Sequence, residues 1–224
     1  MSMTIQGREG NGGCKYLTNC DTKFFTCDIE IVNMFSLLKR IEHITFIILS
    51  VIFLFPSPSD ANETEARRIQ ISLAIFPRIV AVDHDLNKKL TSSGKVRLVF
   101  IYEVDPVAAA EIAASIRNNV TNIGGKAVEI TVKSTDEIMY LDQKRVAGTF
   151  LVERLTGDAF TKVMRIAEKK GIVVFSPFVG DVERGATVGI AISSRIKPYF
   201  NMRTLTKSHI DINEKLLNIS KRYE

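Results

Sequence analysis

The chain has 224 residues, 46% of them hydrophobic and 25% charged. That is globular composition, with room for one domain and a sizeable core. The net charge of +5 is a mild excess spread along the chain, and Lys88-Lys89, Lys144-Arg145 and Lys169-Lys170 are isolated pairs. No basic aromatic patch supports nucleic-acid binding, whereas weak attraction to anionic membrane surfaces is compatible with the charge.

The most apolar run is Ile44 to Pro56, ITFIILSVIFLFP. It is short for a span, which needs about 20 residues. Lys39 and Arg40 precede it, and Pro56 and Pro58 break it. Ser59-Asp60-Ala61 then offers the small residues of a cleavage site. Residues 34–61 therefore read as a secretory signal peptide, cleaved after Ala61. An uncleaved N-terminal anchor is the competing reading. Residues 1–33 read as a non-native or mis-assigned extension ahead of Met34. Residues 62–224 read as a single α/β domain with no later stretch able to span a membrane, and the location this predicts is periplasmic. Cys14, Cys20 and Cys27 all fall in the extension, so the predicted mature chain has neither a disulfide nor a catalytic thiol. It carries about 25 basic and about 19 acidic residues.

Along the domain, Ile69, Leu73, Phe76 and Val80 share one helical face. Pro77 is expected to kink or end that helix. Asp83-His84-Asp85 opens a polar link. Val96 to Tyr102 is a continuous apolar run, as in a strand buried on both faces. Asp105-Pro106 opens a helix with a buried stripe at Ala109, Ile112, Ala113, Ile116 and Val120. Gly124-Gly125 ends it, and Ala127 to Val132 is the next strand. A short helix is expected over Ser134 to Asp142, starting near Thr135 or Asp136, and a strand over Val146 to Val152. Gly157 to Lys170 is an amphipathic helix with Phe160, Val163, Met164 and Ala167 inward and Gly171 as its cap. Ile172 to Phe175 is a fourth strand. The fold class that follows is α/β, three-layer, with a mostly parallel sheet and helices on both faces. Ala186 to Ile192 and Ile196 to Phe200 are expected to pair as a short antiparallel C-terminal edge hairpin. Asp211 to Glu224 is expected to be a last helix. Asp211 and Glu214 would form its capping box, and Ile212, Leu216, Ile219 and Tyr223 its buried face.

Catalytic patterns fail to assemble. There is no G-x-S-x-G elbow, Gly124-Gly125-Lys126 runs into Ala127 rather than a phosphate loop, and Gly180, Gly185 and Gly189 are spaced too widely for a dinucleotide fingerprint. His84 and His209 are the domain's two histidines. His84 between two aspartates can ligate a metal or form a solvated helix-end cluster. The expectation is no enzyme, no cofactor and no metal. Gly180 to Gly185 is the most distinctive polar segment and follows a strand end, where open α/β sheets place ligand crevices. Arg184 there can hold a carboxylate or phosphate, or pair with Asp181 or Glu183. A mobile turn is the alternative.

The C-terminal third resembles the YfiR/HmsC-like periplasmic family. The resemblance rests on Arg184-Gly185-Ala186-Thr187-Val188-Gly189 before two short strands, on Asn201, and on Asn213-Glu214-Lys215-Leu216-Leu217. The helix before Asp83-His84-Asp85-Leu86 matches the family's opening segment, so the resemblance covers most of residues 66–222. It implies a small exported domain that restrains a membrane diguanylate cyclase, and so cyclic di-GMP signalling and biofilm formation, by protein contact. Disulfides of some members have no counterpart here. The candidate binding residues are Asp181, Glu183, Arg184, Gly185 and Asn201. A regulator would show exposed apolar patches, with the first helix as a candidate place for them, and would form a homodimer. The alternative is a periplasmic small-molecule-binding module of a transport or sensor system, with a concave pocket near Arg184.

Overall fold

The computed structural model describes residues 60–224, with side chains from Thr64 onward. The extension, its three cysteines and all but the last two residues of the 34–61 segment lie outside the described residues. Among the described residues, no helix is long and apolar enough to cross a membrane.

Helix α1 (Asp60–Ala81) opens the domain and continues past Pro77. It therefore does not end at that proline, one of the two outcomes expected. A proline inside a helix costs about 3 kcal/mol. Leu73 and Phe76 before it, and Ile79 and Val80 after it, are all buried, and that packing outweighs the lost bond. A short 3-10 turn (Leu86–Lys89) leads to β1 (Val96–Tyr102). Then come α2 (Pro106–Asn119), the hairpin β2 (Asn122–Ile123) and β3 (Lys126–Ser134), α3 (Met139–Gln143) and β4 (Gly148–Leu151). Helix α4 (Gly157–Lys170) leads to β5 (Val173–Phe175), α5 (Asp181–Arg184), β6 (Val188–Ile192) and β7 (Ile196–Asn201). The chain ends with α6 (Met202–Lys207), α7 (Glu214–Ile219) and β8 (Lys221–Tyr223).

The sheet order is β2-β3-β1-β4-β5-β6-β7-β8. The β3, β1, β4, β5 and β6 strands run parallel, and β6–β7 is antiparallel. The α/β class with a mostly parallel sheet is as expected. Side-chain alternation along β1 explains the three layers. Leu98 and Phe100 join α1 and α2 in one core, while Val99 and Ile101 join α3 and α4 in the other. Phe76, Phe100, Phe150 and Phe175 stack at the centre of the first core, with centroids 5.5–6.2 Å apart. A Cβ on Gly148 would lie 2.7 Å from Val80, so the glycine lets α1 press against β4.

Helix α4 and its left-handed cap at Gly171 (φ 63) match expectation. So does α2, with Asp105 accepting hydrogen bonds from the amides of Val107 and Ala108. The helix expected over Ser134 to Asp142 divides into a 3-10 turn capped by Ser134 with Glu137, then α3. Gly124 and Gly125 form the β2–β3 turn rather than simply ending a helix.

The C-terminal end needs three corrections. The β6–β7 hairpin is not the sheet edge, because β8 pairs parallel with β7. Residues 211–224 are not one helix. Asn213, not Asp211, caps α7, and Ile219 is exposed. The weakly buried Leu216 and Leu217 give a long helix little to bury, whereas β8 gains ladder bonds. Helix α6 was not expected. It starts because Asn201 accepts the Thr204 amide.

Candidate functional site

The polar segment Gly180 to Gly185, read as a ligand-holding loop or alternatively a mobile turn, is a structured knot. Asp181 is fully buried, accepts the Ser176 hydroxyl at 2.7 Å and pairs with Arg184 at 2.9 Å. Ser176 Oγ in turn accepts the Phe178 amide at 3.2 Å. A buried carboxylate is costly unless paired and hydrogen-bonded, and Asp181 is both. The Arg184 guanidinium also lies 4.1 Å from the Phe160 ring centroid, a cation–π contact. Gly185 has φ 123 and passes its carbonyl to Thr204 Oγ1 at 3.1 Å. Asn201 donates to the Val182 carbonyl at 2.7 Å while capping α6. A Cβ on Gly189 would meet the Ser176 carbonyl oxygen at 2.7 Å. The Arg184–Gly185–x–x–x–Gly189 pattern is thus explained by packing of α5 against β6 and α6.

The same knot walls a depression of about 250 Å³. Four of the five sequence candidates line it: Glu183, Arg184, Gly185 and Asn201. Asp181, the fifth, lies beneath and holds Arg184. Sequence reasoning missed Arg203 and Lys207, which also line it. Their four-residue spacing puts both on one face of α6, but that helix was not itself foreseen. Among the described residues, no carboxylate lies within ion-pair distance of Arg203 or Lys207. A shallower groove adjoins the depression, sharing Met164, Glu168 and Lys207 and adding Arg165, Lys169 and His209. Glu183 is engaged: burial first, then the Glu183 carboxylate its hydroxyl meets, push the Tyr199 phenol up to about 12.

At the carboxyl ends of β1 and β4, part of the usual ligand crevice, the chain's own carboxylates take up the backbone amides. The Glu153 carboxylate accepts the backbone amides of Glu103, Val104 and Asp105. Glu103 reciprocally accepts the amide and hydroxyl of Thr156, ahead of α4, both at 2.7 Å. His84 meets Asp211 at 3.1 Å, and Asp83 is buried against Lys89. Hydrogen bonding by Lys88 holds Asp85 below the usual carboxylate range. Among the described residues, no group of three His, Cys, Asp or Glu could hold a metal.

Fold and site together define an α/β domain with a basic depression beside its sheet. No family model and no curated protein matches the chain. Solved structures do. An ABC domain in complex with L-Trp from Streptococcus pneumonia is 15% identical, with 64% of this chain and 61% of that one covered, at TM-score 0.42. A conserved domain protein from Vibrio cholerae is 11% identical, with 61% and 57% covered, at TM-score 0.46. A ligand-free, open substrate-binding protein with adhesive properties from Clostridium difficile is 14% identical, with 64% and 60% covered, at TM-score 0.45. The chain spans about three-fifths of the length of each.

Proposed function

We propose that residues 62–224 form an exported binding module that takes a small anionic ligand, a carboxylate or phosphate, in the depression between α4, α5 and α6. The observation that carries this is the convergence of Arg184, Arg203 and Lys207 on one 250 Å³ concavity. Asp181 fixes the first of these, the other two have no ion-pair partner among the described residues, and Glu168 and Glu183 also line the concavity. Fixed guanidinium groups suit planar or tetrahedral oxyanions. Calorimetric titration of the full chain with inorganic phosphate and with a panel of mono- and dicarboxylates tests it. One of these should bind, and the Arg203→Ala/Lys207→Ala double variant should weaken that binding at least about tenfold while unfolding at the same temperature. Equal affinity in the variant, or binding by none of the anions, would reject the proposal.

A second reading is contact with a membrane signalling protein, such as the diguanylate cyclase of the family resemblance. It is favoured by the open groove of about 550 Å³ along α1, where Leu73, Ala74, Pro77 and Ile116 line one wall and polar residues the other. Crosslinking from that groove in the cell envelope would recover such a partner, and a homodimer would appear as a crosslink between two copies.

A further inference from the structure

Seven large hydrophobic residues among those described stand exposed: Val104, Val107, Met139, Val179, Ile192, Ile196 and Ile219. Three of them meet at one corner. Ile192 and Ile196 face each other across the β6–β7 turn. Val179 and Ile192 line the same small depression, together with Arg68 and Lys221. The exposures are 67% for Val179 and 47% for each isoleucine. Val104 and Val107 follow β1 and so extend the apolar rim along the same end of the sheet.

Cations flank these side chains. Arg195 and Lys197 sit on either side of Ile196. Neither has an ion-pair partner among the described residues. Arg154 donates to the Val179 carbonyl at 3.0 Å and its guanidinium lies 5.4 Å from the Phe178 ring. Glu65 and Glu183 lie nearby, and Glu103, Asp105 and Glu153 stand where the rim passes Val104, with Glu153 taken by the amides of Glu103, Val104 and Asp105. Glu65 lies 3.9 Å from Arg154, and Glu183 is taken by Tyr199.

Helix α1 enters the domain at this same corner. Arg68 Nε donates to the Pro177 carbonyl at 2.8 Å, and Nη2 to the Ile190 carbonyl at 3.0 Å. The apolar run Ile44 to Pro56 ends four residues before α1 begins.

We propose that this corner docks on an anionic lipid bilayer, with Val179, Ile192 and Ile196 entering the interface and Arg195, Lys197 and Arg154 meeting the headgroups. Aliphatic side chains ringed by cations are what an anionic interface recognises. Three such residues are too few for a stable protein interface, which covers about 800 Å² per partner. They suffice for a peripheral contact.

The protein has no tryptophan, so one introduced indole reports its own surroundings in the full chain. Val179→Trp and Ile196→Trp place it at the corner. Asn87→Trp places it on the exposed turn after α1, at the opposite end of that helix. Each is mixed with phosphatidylcholine vesicles with and without phosphatidylglycerol, carrying brominated acyl chains. With anionic vesicles the two corner reporters should shift to shorter wavelength and be quenched, while the Asn87→Trp reporter does neither. Arg195→Glu/Lys197→Glu in the Ile196→Trp background should abolish the response. So should salt near 1 M, where the screening length is about 3 Å. Vesicle binding through residues 44–56 alone would leave the corner indoles solvent-like and overturn the proposal. So would equal quenching at Asn87→Trp, or a response indifferent to anionic lipid and to the charge reversal.

Discussion

Asp181 is the residue on which the α5 knot turns, since it is fully buried and serves two partners at once. Removing it leaves the Ser176 hydroxyl proton without its acceptor and Arg184 without its anchor. Because Arg184 is itself partly exposed, the cost falls below that of a fully buried pair. Asp181→Ala is expected to lose about 2–3 kcal/mol in urea denaturation. Two glycines nearby separate packing from backbone strain. A methyl on Gly189 meets a backbone carbonyl at 2.7 Å, whereas one on Gly180 (φ 91) meets nothing within 4 Å. Gly189→Ala should therefore cost more, about 2–3 kcal/mol against about 1 kcal/mol for Gly180→Ala. Tyr199 gives a pH signature. Its phenol, ordinarily near 10.0, is pushed up to about 12 in the fold. Between those values the unfolded chain releases a proton that the folded one keeps. This contribution is thus intact below pH 10 and is lost as pH rises towards 12. Urea midpoints measured from about pH 9 to about pH 11 should fall less steeply in Tyr199→Phe than in the parent.

At the scale of elements, what the sequence made legible was whatever local pattern and tertiary packing both favoured. Helix α4 carries a clean apolar stripe, an acid in its first turn, two lysines in its last and a glycine cap. The β1 strand is apolar on both faces because it is covered on both. The misreadings came where distant contacts overrode local signals. Pro77 reads as a breaker, yet α1 is clamped on both sides of it. Residues 211–224 read as one amphipathic helix, but the β7 edge draws Lys221–Tyr223 into the sheet. Gly180 to Gly185 leaves a ligand loop and a mobile turn both open because nothing local shows that Asp181 is buried and bonded to Ser176 and Arg184. The candidate site was half legible: its glycine and asparagine punctuation was visible, while Arg203 and Lys207 depended on a six-residue helix whose local Asn201 cap was not read as a helix start. The short β8 strand also makes a direct prediction. It covers the β7 edge and sets Lys221 4.4 Å from the Tyr199 ring. Deleting residues 220–224 should lower the unfolding midpoint and produce concentration-dependent association in light scattering, as an uncovered strand edge does.

Taken whole, the molecule closes the end of its sheet where open α/β folds usually take ligands. Side chains from one strand end reach the backbone of the next: Glu153 to the turn after β1, Glu103 to the start of α4, Arg154 to Val179, and Arg68 to Pro177 and Ile190. None of this rim was visible in the sequence, where an acid after a strand reads as a solvated turn residue. Amide groups that elsewhere would hold a ligand's anion are already held by internal carboxylates. That leaves the α4–α6 depression as the anion site proposed above. The rim also presents a rigid edge at the end where α1 begins. The self-filled nest predicts chemical rescue. Glu153→Ala frees the amides of Glu103, Val104 and Asp105 together and should cost about 1–2 kcal/mol, since Glu153 is only partly buried. Acetate or formate should then raise the melting temperature of Glu153→Ala by more than that of the parent, because a small carboxylate can occupy the vacated nest. Equal shifts in the two proteins would mean that Glu153 is not the nest's occupant. The ligand crevice at the strand ends would then be open after all, and the depression beside α5 would lose its claim to be where this fold binds anions.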